Sequence, residues 1–139
     1  MKKKILLFSL LIFASVFTHA QTLYWIGGSG NWSDINHWSL TSGNSGGILA
    51  PSIPQSLNDV VFDANSGFLA GNNTVTVNQN SICSDITVSG VAASPIFNGA
   101  YILEVRGSAN YQTGTVINHK IYFTSANPGN TIAFNGGAT

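Results

Sequence analysis

The chain has 139 residues, a formal net charge of zero, 15 glycines, a single cysteine and only 7% charged side chains. That length suits one small domain. A 44% hydrophobic content with so little charge excludes a disordered chain, one cysteine excludes an intrachain disulfide, and so few cations exclude nucleic acid as a partner.

Met1-Lys2-Lys3-Lys4 comes first, then a run over residues 5–17 that is apolar apart from Ser9 and Ser15, then Thr18-His19-Ala20. A basic start, a short apolar run and a small residue at the end describe a secretory signal peptide over residues 1–20, cut after Ala20. The run is shorter than the roughly 20 apolar residues of a spanning helix, so no membrane span is expected after cleavage. Export to the cell surface or medium follows. Cleavage leaves Arg106 and Lys120 against Asp34, Asp59, Asp63, Asp85 and Glu104, a formal charge of −3. Two isolated cations give no attraction to anionic membrane either.

Residues 21–73 hold all three tryptophans of the chain, Trp25, Trp32 and Trp38, among glycine, serine and asparagine. Two main readings compete for them, with a protein interface as a third. Buried, three indoles make an aromatic N-terminal cap over the strands that follow, each ring removing roughly 200 Å² from water, worth about 5 kcal/mol at most. Exposed, they make a glycan-stacking face, with Asn31, Asp34, Asn36 and His37 hydrogen-bonding sugar hydroxyls.

Beyond them, short alternating runs stopped by turn residues read as strands at 59–62, 74–77, 85–88, 102–105, 120–123 and 131–134. Gly, Pro, Asn or Ser interrupts every helical pattern of useful length. The pattern apolar-x-apolar-x-small recurs at Ile86/Val88/Gly90, Leu103/Val105/Gly107 and Ile121/Phe123/Ser125, and a second series runs through Val77, Phe97, Ile117 and Phe134. Repetition of this kind predicts a winding chain: an all-β, right-handed parallel β-helix, or β-solenoid, of about three coils over residues 74–139. An antiparallel β-sandwich is the alternative, because Asn98-Gly99 lies between apolar runs as in a two-residue hairpin. Cys83 reads as a small buried hydrophobe.

The tryptophan stretch also resembles a family. Tyr24-Trp25-Ile26-Gly27-Gly28-Ser29-Gly30-Asn31-Trp32-Ser33, then His37-Trp38-Ser39, Pro54 and Asn58-Asp59-Val60-Val61-Phe62-Asp63-Ala64-Asn65, is similar to the start of large exported surface proteins of gliding and biofilm-forming Gram-negative bacteria, which look like autotransporter-adhesin passenger domains. The resemblance implies a β-helical surface segment at the N-terminal part of a longer adhesin-like polypeptide. Its partners would be surface glycans or the rest of its own chain, and the stop at Asn135-Gly136-Gly137-Ala138-Thr139, in mid-repeat, fits a truncated segment. The resemblance supplies no catalytic residue.

Reactive groups are sparse. Gly27-Gly28-Ser29-Gly30-Asn31 misses the final glycine of a nucleophile elbow. His37 and His119 have no second histidine or cysteine at zinc-ligand spacing. Asp59 and Asp63 with Asn58 and Asn65 offer calcium-type oxygens, although Asn58 and Asp63 serve equally well to satisfy turn amides. Asp85, Glu104 and Arg106 fall near equivalent positions of neighbouring strands and are the one enzymatic lead, the remote alternative being a polysaccharide-degrading β-helix. The expectation is a structural or adhesive surface segment without catalytic residues, metal or cofactor; a carbohydrate-binding module is the alternative.

Overall fold

A computed structural model describes residues 20–135, so the expected signal peptide lies outside the described residues except at Ala20. Eleven strands follow: β1 Gln21–Trp25, β2 Gly30–Asn31, β3 Trp38–Ser39, β4 Asn58–Phe62, β5 Thr74–Thr76, β6 Ser81–Cys83, β7 Ile86–Val88, β8 Ile96–Val105, β9 Ala109–Tyr111, β10 Val116–Phe123 and β11 Ile132–Phe134. Helix is confined, among the described residues, to 3-10 turns at Ile35–His37 and Ser42–Asn44. None is long and apolar enough to cross a membrane.

Alternation explains the strands. In β4, Val60 and Phe62 are buried while Val61 between them is only partly covered, and β7 and β9 repeat the pattern with Ile86/Val88 and Ala109/Tyr111. A six-stranded sheet has the order β11-β9-β7-β4-β1-β3, and a second runs β10-β8-β5-β2, with β6 also paired to β8. Their inner faces share one core, since Phe62 on the first sheet meets Phe97 on the second with ring centroids 5.1 Å apart.

The protein is therefore mostly strand, but the expected right-handed parallel β-helix of about three coils with an aromatic cap is corrected. The first sheet is mixed, because β3 lies antiparallel on β1, and antiparallel bridges join Ser39 to Leu49 and Leu69 to Asn72. Spacing is uneven as well. In the first sheet, contacts between successive layers join residues 37, 26, 23 and 23 apart, through Gln21–Asn58, Asp59–Asp85, Asp85–Ser108 and Ser108–Thr131. The 17-to-18-residue series failed because it mixed the two sheets: Leu103 does pair with Ile121, but Ile86 pairs with Ala109. Likewise Phe97 pairs with Val75 and Ile117, whereas Phe134 belongs to the other sheet, beside Tyr111.

Nor is the alternative antiparallel sandwich formed. Instead of a hairpin, Asn98-Gly99 is a kink inside β8, which continues in one direction and pairs parallel with β5 before it and β6 after it. Gly99 sits at φ +134°, and a β-carbon there would overlap the Val77 carbonyl, so glycine is required by the path of the neighbouring layer. The partner strand shifts register between Asn118 and Lys120, placing His119 at the irregularity.

Side chains stitch the layers together where strands end. Along one edge, Asp59 accepts from the Asp85 amide at 3.2 Å, Asp85 from the Ser108 amide at 2.7 Å, and Ser108 Oγ from the Thr131 amide at 3.1 Å. A second series runs the same way: Asn73 donates to the Ser94 carbonyl, Ser94 to the Thr113 carbonyl and Thr113 to the Asn135 carbonyl. Each rung satisfies a backbone group that leaves its sheet at a turn.

Candidate functional site

All three tryptophans are fully buried. Trp25 ends β1, Trp38 opens β3 and Trp32 follows β2, and the three close around Phe62, with centroids 5.6, 6.0 and 6.3 Å from it for Trp25, Trp38 and Trp32. Trp25 and Trp38 meet edge to face at 5.0 Å, as do Trp32 and Trp38 at 4.9 Å, a geometry aromatic quadrupoles favour. Trp25 Nε1 donates to the Gly28 carbonyl and Trp38 Nε1 to the Trp32 carbonyl. No indole face is free for a sugar to stack on.

The polar residues expected to assist them serve the local fold. Asp34 Oδ1 accepts from both the backbone and the side-chain amide of Asn36, capping the 3-10 turn at Ile35–His37. The Asn36 backbone N–H, foremost, holds the Asp34 carboxyl below the usual carboxylate range. His37 lies flat on Trp25, centroids 4.6 Å apart and planes 10° from parallel, and its Nδ1 is 2.6 Å from the Ile26 carbonyl. A β-carbon at Gly30 would overlap the His37 ring, so the glycine makes room for this stack. Asn31 and Asn36 are exposed at the same end.

The calcium-type oxygens are occupied by turns. Asn58 Oδ1 accepts from the Gln55 amide, Asp63 Oδ1 from the Asn65 amide and Asp63 Oδ2 from Ser42 Oγ, while Asp59 holds the Asp85 amide. Among the described residues, no three His, Cys, Asp or Glu side chains are grouped to hold a metal. Cys83 is fully buried, and burial raises its thiol pKa far above the ordinary value, so it packs as an apolar side chain.

Asp85 and Glu104, the paired acids of the enzymatic lead, serve different places. Asp85 turns to the Ser108 amide at the edge of the first sheet, whereas Glu104 stands on the outer side of β8 in the second. Arg106 does join Glu104, its Nε donating to Oε1 at 2.9 Å, and Thr124 Oγ1 donates to the same oxygen at 2.7 Å. Those two hydrogen bonds, Thr124 first, hold the Glu104 carboxyl below its ordinary pKa, so it is ionised at neutral pH. Together with Ala126 and Asn127, these three side chains line an open groove of about 570 Å³.

Thr124, Ala126 and Asn127 carried no signal in the motif reading. One was available: the 18-residue step from Leu103 to Ile121 also sets Glu104 beside Tyr122 and brings Thr124 alongside Val105, to whose carbonyl its amide donates. Comparison with protein-family models, curated proteins and solved structures finds no match to this chain.

Proposed function

We propose that the chain is an exported structural segment of a bacterial cell surface, adhesive in that it joins further β structure through the end formed by β10 and β11. The observation that carries this is the state of that end. Among the described residues β10 and β11 are paired on one side only, β10 is eight residues long, and Tyr122, Ile132 and Phe134 are 52%, 50% and 42% exposed beside it. A long apolar edge of unpaired amides and carbonyls is a template for another strand. Support for export comes from the basic, apolar, small-residue order of the first 20 residues, and support for a surface role from the resemblance carried by the tryptophan stretch.

The test is to produce the full chain, epitope-tagged, in an exporting Gram-negative host. The product should lack residues 1–20 and be digested by protease added to intact cells. Recovered protein should associate with rising concentration in sedimentation velocity, and joint Phe123→Lys and Ile132→Lys substitution should return it to monomer, as charged edges do. A cytoplasmic product that keeps its leader, or wild-type protein monomeric at every concentration with a high melting temperature, would overturn the proposal.

A further inference from the structure

Of the features outside the aromatic core, the groove on the outer side of β8 is, among the described residues, the one built around an ion pair, and its polar groups lie on the sheet's outer face rather than on the unpaired backbone of β10. Its base is a preset ion pair. Glu104 Oε1 takes the bonds from Arg106 and Thr124, which fixes the carboxylate and leaves Oε2 as an acceptor; Arg106 uses only Nε on Glu104, which leaves both of its terminal nitrogens as donors. The Arg106 side chain is 52% exposed and that of Glu104 30%, so both reach solvent from the groove.

Carboxylate acceptor and guanidinium donors side by side demand a particular ligand chemistry. Because the two charges neutralise each other, the pair gives neither an anion nor a cation a strong net attraction. A pair of adjacent hydroxyls satisfies both groups, because each hydroxyl accepts from a guanidinium N–H and donates to a carboxylate oxygen. Tyr122 is paired with Glu104 in register, which sets it on the same outer face, and it is 52% exposed, next to the groove's lining rather than part of it. Asn127 adds an amide to the lining of this open groove.

We infer that the groove of Glu104, Arg106, Thr124 and Asn127 binds a neutral saccharide through a vicinal diol, with Tyr122 alongside. Sugar recognition, weighed at Trp25, Trp32 and Trp38 as the alternative to a buried cap, is thereby moved to the opposite end of the chain, where polar groups are accessible.

Affinity electrophoresis of the full chain through native gels containing galactomannan, whose mannose and galactose units carry adjacent hydroxyls, tests this. Migration should be retarded, and methyl α-D-mannopyranoside should release it. Glu104→Ala and Arg106→Ala should each weaken retardation at least about tenfold, the loss of a charge-assisted hydrogen-bonding partner. Tyr122→Ala should weaken it less. Unchanged circular dichroism in the two exposed-site variants, with Glu104→Gln as a shape-preserving second, separates lost binding from lost folding. No retardation in galactomannan, retention equal in wild type and both alanine variants, or retention only in anionic polygalacturonate would each overturn the inference.

Discussion

The two ends of the molecule solve the same problem in opposite ways. At the N-terminal end the outermost strands, β2 and β3, are two residues long each, and the core beneath them is plugged by Trp25, Trp32 and Trp38 around Phe62. At the C-terminal end an eight-residue edge strand faces outward, and the last ring of the aromatic series, Phe134, stacks on Tyr111 at 5.3 Å with 42% of its surface still exposed. Short edges and buried rings discourage pairing; a long edge with exposed rings invites it. The difference puts the buried rings at one end and the unpaired, exposed edge at the other.

The sharpest way to break that comparison is to remove one ring from each end. Trp38→Ala should cost about 3–5 kcal/mol in urea unfolding, since a fully buried indole leaves a cavity its neighbours cannot fill. Phe134→Ala removes a ring already half in water and should cost no more than about 1.5 kcal/mol. Equal losses would show that the two ends are packed alike.

A smaller effect tests the stitching between them. A β-carbon at Gly107 would overlap Asp85 Oδ1, the acceptor for the Ser108 amide, so Gly107→Ala should displace that carboxylate and cost about 1 kcal/mol, the loss of a hydrogen bond to a partly buried amide. Combined with Asp85→Ala, the same substitution should cost less, because the clash with the carboxylate and the bond disappear together and only the 3.0 Å approach to the Ser84 backbone remains. Full additivity of the two in a double-mutant cycle would deny their coupling.

Much of this was readable in the chain. Each alternating run, such as Asp59-Val60-Val61-Phe62, matches a strand to within a residue at one end or lies inside a longer one, because side chains one apart must face opposite sides and only one side is buried. Which strands become neighbours was not readable. Ile86 and Leu103 share the apolar-x-apolar-x-small pattern yet lie on different sheets, and that pattern does not say which sheet a strand joins. Asn98-Gly99 misled for a related reason: the dipeptide permits a positive φ, but the Val77 carbonyl from another layer decides whether that φ makes a reversal or a kink. The Asp59, Asp85 and Ser108 rungs escaped notice because short polar residues at turns look alike whether they bond their own loop or the next layer. The groove was half legible, through Glu104 and Arg106, and its other residues depended on the same unknown register.

The smallest expected effect concerns pH and the open end. His119 lies at the register shift in β10, its ring centroid 6.2 Å from that of Phe97, and both ring nitrogens are buried without a hydrogen-bond partner of normal geometry. Burial pushes its pKa below the ordinary 6.5; the nearby Phe97 backbone offsets this only in part. Between the folded pKa and 6.5 the unfolded chain binds more protons than the folded one, so stability rises with pH across that window. It is complete above about 6.5 and declines as pH falls toward the folded value. The exposed carboxylates with lowered pKa values, Asp34 and Glu104, act below their ordinary 3.8 and 4.5, outside this window. Urea midpoints measured from pH 7.5 down to 5.5 should fall in wild type, and His119→Leu should flatten the slope. Because His119 is a residue of β10, the loss should appear first as faster hydrogen exchange in β10 and β11, with the amides around Trp25 and Trp38 unchanged; simultaneous loosening at both ends would assign the titration to the whole core instead.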